Sequence, residues 1–362
     1  MHKALAADLR RKETGTIGRD VTSPPGGWAG PPQVMDNLRA TLMLTRYRRE
    51  VSIALVIVAL GLILAAVAPG YFARDNLSDL FLGNMPVLIV ALGATLVILT
   101  GNIDISAGSV FAICGVAAGL AAKAGIPVVL AALLACLAGG ALGALNGALV
   151  AYVRIPSVVV TLATMVALRD GLRWATQGAW VQDLPAGFQW FGLSQAAYPI
   201  VAIGLVALLQ LGLSWAMRHL AAGRMVYAVG SNPQAARLAG LSTTSITWAV
   251  FTAAGALTGL AAVLNSVRFN QIPSNAGIGL EMKVIASAVV GGASIRGGQG
   301  HMGGTLLGVV LLGAIGPALT FLGVNAYWER ALQGAIILAA VAIDAMRERR
   351  AVRAAVPAAA PA

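Results

Sequence analysis

The chain has 362 residues, of which 58% are hydrophobic and 11% charged, and it contains 43 glycines. Soluble domains carry about 25% charged residues, so this composition argues against a globular enzyme and is typical of a membrane protein. The formal net charge of +11 does not indicate a nucleic-acid partner, because the Lys and Arg residues lie between apolar segments rather than along one face.

Residues 1–49 precede the first apolar segment and include the stretches RRKETGTIGRD and TSPPGGWAGPPQ. They offer few apolar side chains to bury, so we expect a disordered cytosolic tail. The first apolar run begins near Val51, too late for a signal peptide, and predicts an uncleaved first membrane helix. We expect a transmembrane domain over residues 50–346 and a cytosolic C-terminal tail over residues 347–362.

Ten apolar segments follow one another along the chain. A helix that crosses about 30 Å of hydrocarbon needs roughly 20 apolar residues, and the third and eighth segments are short and flanked by glycine. Neither strand periodicity nor a soluble linker is evident. The predicted fold class is therefore all-α, a polytopic integral membrane protein with about ten transmembrane helices. The predicted spans are 51–69, 83–101, 106–122, 127–151, 157–176, 198–217, 245–265, 281–295, 302–323 and 328–346.

The distribution of basic residues predicts the orientation. Ten crossings place both termini on one side, and 18 of the 25 Lys and Arg residues fall there, including the cluster RYRRE before the first span. That side is cytosolic by the positive-inside bias. At the outer end of the fifth span, Asp170 and Arg173 are spaced to pair on one helix face, and Trp174 and Trp180 suit the interface. A polar lining at the outer mouth of a path is the alternative interpretation.

The longest internal cytosolic loop, residues 218–244, contains a polar helix signal. In VYAVGSNPQAARLAGLS, Ser231 or Asn232 can cap a helix start, Pro233 suits the first turn, and Gly240 can close the helix. A short helix over residues 233–239 is predicted. On these residues alone it is either a connecting helix or a docking element for a cytosolic partner.

Two glycine-rich interruptions separate apolar runs. In LTGNIDISAGSV we expect Asp104 or Ser106 to cap the next helix, with Gly108 beside them, and direct substrate contact by Asp104 is the alternative. In VVGGASIRGGQGHMGG, seven glycines in sixteen positions, Gly291 and Gly292 among them, allow a tight turn between packed spans. These two interruptions supply the candidate residues of a translocation path.

Several enzyme signatures are missing from the sequence. It contains no P-loop, no H-E-x-x-H and no G-x-S-x-G, and no Cys or His residues at metal-ligand spacing. His301 has no second ligand nearby, and Cys114 and Cys136 lie in apolar runs as expected of inert buried thiols. We therefore expect no catalytic site, no metal and no cofactor.

Three motifs carry a resemblance to a known family. The stretches GNIDISAGS, YAVGSNPQAARLAGLS and VIASAVVGGASIRGGQGHMGGTLLG occur in this order. Each is similar to a signature of the membrane permease subunits of bacterial ABC importers for monosaccharides, the group that includes ribose, rhamnose, xylose and autoinducer-2 systems. The resemblance covers residues 50–346. It departs from the family pattern mildly, at Ile105, Ala107, Leu241 and His301.

The resemblance implies a type II importer in the bacterial inner membrane. Its partners would be cytosolic ATPase subunits, a periplasmic sugar-binding protein, a second permease copy in a homodimer or heterodimer, and membrane lipid. The substrate would be a monosaccharide, rhamnose-like or ribose-like. The polar helix would be the coupling element that seats in the ATPase, with Ala235 and Ala236 small enough for close approach. The matched coupling residues are Gly230, Asn232, Pro233, Ala235, Ala236 and Gly240.

Two other functions remain open from the sequence. A secondary transporter driven by an ion gradient would need intramembrane carboxylates or broken helices that coordinate Na⁺ or H⁺, and Asp104 is the one deep candidate carboxylate. A structural assembly factor is the other alternative, and the ordered motifs argue against it.

Overall fold

A computed structural model describes residues 48–325, 327–336, 338–339 and 342. The predicted N-terminal tail, except for its last two residues, and the predicted C-terminal tail lie outside this part of the chain. Within it the only extended pairing is a single antiparallel bridge between Val181 and Ile272. The helices are α1 (Arg48–Val67), α2 (Arg74–Leu99), α3 (Ala107–Lys123), α4 (Val128–Ala151), α5 (Ser157–Thr176), α6 (Ala197–His219), α7 (Ala221–Ser231), α8 (Pro233–Leu238), α9 (Thr243–Ser266), α10 (Leu280–Val290) and α11 (Met302–Phe321).

The all-α membrane fold predicted from the sequence is confirmed. Six of these helices, α1, α2, α4, α6, α9 and α11, are long and apolar enough to cross a membrane, judged by length and composition over the described residues. The two spans expected to be short are short, since α3 has 17 residues and α10 has 11. The helix α5 is 20 residues long but carries three charged residues in its second half. Within the tenth predicted span, residues 328–336 are helical.

The centre of the bundle is α2. Every residue from Met85 to Leu99 is buried, so this helix is apolar on all sides and is surrounded by other helices. By contrast, α1 exposes large apolar side chains such as Leu55 and Leu62 around its circumference, which is the surface expected of a helix that faces lipid. The bundle is thus layered around α2, with α1 at its edge.

Small residues allow the closest packing between two helices of the bundle. The helix α9 packs against α4 more extensively than any other two helices in the described part of the chain. At Gly139, Gly143, Gly255 and Gly259, an added Cβ atom would meet backbone atoms of the opposing helix. Apolar side chains gain nothing by leaving lipid for another helix, so this contact depends on van der Waals packing of backbones that only small residues allow.

The segment between α9 and α10 re-enters the bundle. Ile272 lies beside Gly119 near the C-terminal end of α3, whereas Gly277 lies against Gly108 near its start. The segment therefore follows α3 inwards, and α10 begins inside the bundle after Gly277 and Gly279, whose φ angles are +74° and +83°. This re-entry explains why α10 is only 11 residues long, and it was not predicted from the sequence.

Candidate coupling and translocation site

The predicted cytosolic helix is present as α8, and Asn232 caps its start. The Asn232 side-chain oxygen accepts hydrogen bonds from the backbone N–H groups of Gln234, at 3.1 Å, and Ala235, at 3.0 Å. Pro233 is the first helical residue, where its fixed φ suits the helix and its missing N–H is not needed. Gly240 follows the helix end with φ of +83°, a left-handed conformation that favours glycine. The Asn232–Pro233 start is confirmed, and the helix ends at Leu238, one residue earlier than predicted.

A second helix in the same loop was missed. Residues 221–231 form α7, and Ser231, which was considered as a cap of α8, is instead the last residue of α7. Val226, Val229 and Gly230 are buried on one face of α7, and the Tyr227 hydroxyl donates a hydrogen bond to the Gly300 carbonyl at 2.8 Å. The spacing of Val226 and Val229 is the signal from which this helix was predictable.

The six candidate coupling residues do not share one surface. Asn232, Ala235 and Gly240 are exposed, and Pro233 is half-buried. Gly230 and Ala236 are buried within this chain, Ala236 with only 5% of its surface exposed. The expectation that Ala236 gives a partner close approach is therefore wrong, because its side chain packs inwards. The outward surface of α8 presents Ala235 and also Leu238, which is 91% exposed.

Three glycine-rich stretches that are far apart in sequence meet beside α7 and α8. The Gly298 N–H donates to the Leu99 carbonyl at 2.9 Å. A Cβ atom at Gly230 would overlap the same carbonyl, and one at Gly298 would overlap Ser231. We call this contact the glycine junction, formed by residues 99–101, 230–231 and 296–298. It brings together all three sequence motifs at one end of the bundle.

Gly291 and Gly292 serve the packing of α10 rather than the glycine junction. A Cβ at Gly291 would meet backbone atoms of Gly304 and Thr305 at the start of α11, and Gly292 has a φ of +100°. The tight turn predicted between two packed spans is confirmed. In this structure Gly291 lies against α11, and the predicted place of both glycines in a translocation path stays a prediction.

A cavity of about 500 Å³ lies between α8 and the neighbouring ends of α2, α4 and α9. Pro233 and Arg237 of α8 line one side. The Arg237 Nε–H donates to the Thr243 hydroxyl at 3.1 Å, which links α8 to the first residue of α9. The other lining residues are Thr100, Gly101, Asn102, Val150, Ala151, Arg154, Val229, Leu241, Ser242, Thr243, Thr244 and Thr247.

Asp104 is buried and holds the turn that precedes α3. Its Oδ1 accepts from the Ser106 backbone N–H at 2.9 Å and from the Ser106 hydroxyl at 2.6 Å. The Ser106 oxygen in turn accepts from the Asn146 amide of α4 at 2.8 Å, but it caps no helical N–H itself. The predicted cap of α3 is therefore wrong for both residues, because neither side chain accepts a helical N–H; the Asp104 carboxylate instead closes a turn two residues before the N-cap residue Ser106.

The start of α3 lies inside the membrane domain, beside α5. Ile103 is bonded to the first turn of α5, through its N–H to the Ser157 hydroxyl at 3.2 Å. Ser109 lies further along, where its hydroxyl donates to the Met165 carbonyl at 2.8 Å. Eight residues of helix separate Ser157 from Met165, a rise of about 12 Å. The irregular residues 100–106 therefore turn back from the C-terminal end of α2 into the bundle.

Arg169 and Glu281 meet where α3, α5 and α10 come together. Arg169 Nη2 lies 3.8 Å from Glu281 Oε2, and the Arg169 Nε–H donates to the Ser109 hydroxyl at 3.2 Å. The two side chains are 18% and 10% exposed. A Cβ atom at Gly108 would overlap Glu281 Oε2 and lie 3.0 Å from Arg169 Nη2, so Gly108 belongs to this pair and not to the Asp104 turn. Ionisable residues at membrane depth are costly and mark functional sites by default.

The sequence did not reveal this pair. Glu281 stands in an apolar run after Gly279, and nothing in that run indicates that it faces Arg169, which is 112 positions earlier. The neighbouring pair that was predicted, Asp170 with Arg173, is confirmed at 3.8 Å, but these side chains are 66% and 55% exposed. Because exposed pairs contribute little to stability, this pair is a surface feature of α5.

An apolar helical bundle with broken helices, a buried charge pair and a capped helix outside the apolar core defines a polytopic membrane permease. The family of permease components of the branched-chain amino acid transport system matches residues 76–341. The chain belongs to this family, and it is an ABC importer permease.

Relatives in two Yersinia species share the permease name. The chain is 36% identical over 304 residues to the Autoinducer 2 import system permease protein LsrC of Yersinia pseudotuberculosis serotype O:3 (strain YPIII), covering 84% of this chain and 86% of that protein. The same identity and coverage hold for the LsrC protein of Yersinia pestis (strain Pestoides F). No solved structure matches the chain.

The hydrogen bonds of Asp104 predict how its variants behave. Asp104→Asn keeps an oxygen that can accept from Ser106, so stability should be close to wild type. Asp104→Leu leaves the Ser106 N–H without this acceptor and should lower the free energy of unfolding by about 1–2 kcal/mol. The measurement is thermal unfolding of the purified permease in detergent. Asp170→Leu, which removes an exposed carboxylate, is the control and should change stability by less than about 0.5 kcal/mol.

Transport by the assembled complex tests the alternative role of Asp104. If Asp104→Asn assembles at wild-type stability but abolishes transport, the charge itself is needed, and a purely structural role in the turn before α3 is contradicted.

Proposed function

We propose that the chain is the membrane permease of an ATP-driven importer of small, uncharged, hydroxylated molecules. Rhamnose-like and ribose-like monosaccharides and autoinducer-2 are the candidate substrates. The observation that carries this proposal is the glycine junction. It joins the end of α7, which leads directly into the short capped helix α8, to the end of α2 and to the loop before α11. A helix joined in this way can transmit a movement of a cytosolic partner to the membrane helices. A helix that only connected two spans would not need these contacts.

The surface of α8 supports docking of an ATPase subunit. Leu238 is 91% exposed on a six-residue helix whose start is fixed by Asn232. An exposed leucine beside small Ala235 suits insertion into a groove of a partner, since a rigid helix with an apolar anchor is a common recognition mode. We assign Ala235, Leu238 and the exit at Gly240 to this contact. Gly230 and Ala236 support it from inside the permease.

The other proposed partners would bind surfaces of the permease away from α8. The outer loops would receive a periplasmic sugar-binding protein. The helix α5 buries only Val160 and Thr161 among its described residues, so most of its surface is left for lipid or for a second permease copy. We propose that a second permease, identical or homologous, completes the membrane assembly in the bacterial inner membrane.

A ten-span topology with both termini in the cytosol accounts for which loops meet. The inner end of α2, the α7–α8 region and the loop before α11 all join the glycine junction, so they belong to one side. At the opposite end, the Ser274 hydroxyl donates to the Gly178 carbonyl at 3.0 Å, and Val181 pairs with Ile272. The loop of Gly178 and Val181 and the segment of Ile272 and Ser274 are separated by two predicted crossings, so they are expected to lie on the same side of the membrane.

Cysteine labelling tests this topology. In a background with Cys114 and Cys136 replaced, single cysteines at Gln182 and Asn275, both exposed, should react with a membrane-impermeant maleimide added to intact cells. Cysteines at Gln234 and Val352 should react only after the membrane is permeabilised. Labelling at Gln234 from outside would contradict both the orientation and the docking of α8.

A secondary transporter is the alternative that one observation favours. Two helices, α3 and α10, begin inside the bundle beside a buried carboxylate, and broken helices of this kind hold substrates and ions in secondary transporters. Reconstitution separates the two functions. Proteoliposomes that contain the permease with its ATPase and binding protein should import L-rhamnose, D-ribose or autoinducer-2 only with ATP. Import that persists without ATP and is abolished by dissipating the ion gradients would contradict the ATP-driven proposal.

Substitutions in α8 test the coupling. Ala235→Trp should crowd the ATPase groove, and Gly240→Val should strain a position with φ of +83°. Both should lower ATP-dependent uptake at least tenfold, or release the ATPase on purification, while the permease stays inserted. Ala124→Trp, an exposed position at the other end of the bundle, is the matched control and should transport normally.

The Ala236→Trp variant distinguishes the role of the buried face of α8 from that of its exposed face. Because Ala236 is buried within this chain, this change should destabilise the permease itself rather than release a well-folded one. Wild-type uptake and ATPase binding by Ala235→Trp and Gly240→Val would mean that α8 is only a connector.

A further inference from the structure

The Arg169–Glu281 pair has the composition of a salt bridge but not its geometry. Charged hydrogen bonds between nitrogen and oxygen are about 2.7–2.9 Å long, and here the nearest atoms are 3.8 Å apart. Arg169 Nη2 and Glu281 Oε2 are both buried and have no hydrogen-bond partner among the described residues. A buried charge without a hydrogen-bond partner is energetically costly unless another group supplies the missing hydrogen bond.

Each side chain is held by its other polar atom. The Arg169 Nε–H donates to the Ser109 hydroxyl, and Ser109 is itself fixed by the Met165 carbonyl. Glu281 Oε1 accepts from the Gly279 N–H at 3.3 Å. These bonds orient the pair and leave Nη2 and Oε2 facing each other across the gap. A polar separation greater than 3.5 Å with both ends unsatisfied is the geometry of a bridged contact.

Glycines let the backbone of α3 and of the re-entrant segment approach the two charged groups closely. A Cβ atom at Gly108 would overlap the Glu281 carboxylate and the Gly277 carbonyl, and would lie 3.0 Å from Arg169 Nη2. Gly277 in turn can adopt its φ of +74° because it has no side chain. The site lies about 18 Å along α5 from Ser157 and about 10 Å from the last residue of α5, which is within the membrane domain.

We propose that Arg169 Nη2 and Glu281 Oε2 bind a hydroxyl group of the transported molecule as it passes through the membrane. The hydroxyl donates its proton to the Glu281 carboxylate, and its oxygen accepts from the Arg169 guanidinium. The two charges cancel, so an uncharged polyhydroxylated molecule fits, whereas a second carboxylate would face Glu281. This inference rests on the proposed function and assigns substrate-binding residues to it.

An apolar replacement of the whole pair separates binding from structure. Replacing a buried ion pair by apolar residues of similar volume is often neutral or stabilising. The double variant Arg169→Met with Glu281→Leu should therefore insert into the membrane and assemble with the ATPase. Its ATP-dependent uptake of L-rhamnose, D-ribose or autoinducer-2, whichever the wild-type complex imports, should fall at least tenfold, the effect expected of losing hydrogen bonds to charged groups.

The control is the second charge pair of α10. Lys283 Nζ lies 3.9 Å from Glu329 Oε1, and Glu329 also accepts from the Gln333 amide at 2.9 Å. Lys283→Met with Glu329→Gln removes these charges and keeps an acceptor for Gln333, so uptake should stay within about twofold of wild type. Wild-type uptake by the Arg169–Glu281 double variant would overturn the proposal, because the pair would then be structural.

Single variants decide the case in which the double variant does not assemble. Glu281→Gln and Arg169→Lys keep polar groups at both positions and should assemble, but with uptake reduced at least tenfold. Normal uptake by both, or failure of both to assemble, would overturn the site.

Transport by the wild-type complex distinguishes failure of the proposed site from failure of the proposed function. If it imports L-leucine and none of the hydroxylated probes, the proposed substrate class and the hydroxyl site both fail. If it imports no probe at all, the proposed function fails and the site fails with it. Import of a hydroxylated probe that is insensitive to every variant overturns the site alone.

Discussion

The hydrogen bond from the Gly298 N–H to the Leu99 carbonyl, 2.9 Å long, joins two parts of the chain that lie about 200 positions apart. Leu99 is the last residue of α2, and the last carbonyls of a helix have no partner within it. The bond satisfies one of these carbonyls with a backbone amide. Because the two backbones must approach this closely, and Gly230 must also pass the same carbonyl, no side chain fits at either glycine.

The same constraint governs the other interruptions of the membrane helices. Backbone N–H and C=O groups that lose their helical partners at a helix end cannot form hydrogen bonds with water inside the bundle, so other groups of the protein must supply their partners. Before α3, the Asp104 carboxylate accepts the Ser106 N–H. Before α10, the Glu281 carboxylate accepts the Gly279 N–H. Both acidic residues stand at the N-terminal end of a helix, where the helix dipole also favours a negative charge.

Local features of this chain were predictable from sequence because their causes are local. The length of an apolar run fixes a span, and Asn232, Pro233 and Gly240 fix the short helix α8, each through its own backbone chemistry. Contacts between distant segments were not predictable. Nothing near Ala236 indicates that it faces inwards, and nothing near Glu281 indicates that Arg169 lies opposite. The helix α7 was missed although its apolar spacing is a local signal, because its buried stripe is short and contains glycines.

The re-entrant segment was missed for a related reason. Residues 267–279 are too polar to be recognised as a span, and they were read as an outer loop. Their entry into the bundle depends on Gly108, Gly115 and Gly119 of α3, which leave the room that Ile272 and Gly277 occupy. A stripe of glycines on one helix predicts that something packs closely against it, but it does not identify the segment that does.

The chain connects the glycine junction to the Arg169–Glu281 pair along two routes. From residues 99–101, the irregular segment 100–106 leads to the start of α3, where Ser109 holds Arg169. From residues 296–298, the glycine-rich loop leads back to α10, which carries Glu281 near its other end.

Ser109 and Glu281 are therefore both connected to α7 and α8 through the glycine junction, while Arg169 itself belongs to α5, which is packed mainly on α3 and α4. A displacement of α7 and α8 would act on α3 and α10 by separate routes, and it would reach Arg169 through the contacts of α5 with α3. The distance between the Arg169 guanidinium and the Glu281 carboxylate, which are not in direct contact, would change with it. Such a coupling would let a movement of α8 alter the affinity of a site inside the bundle, because a ligand favours the conformation that it binds better.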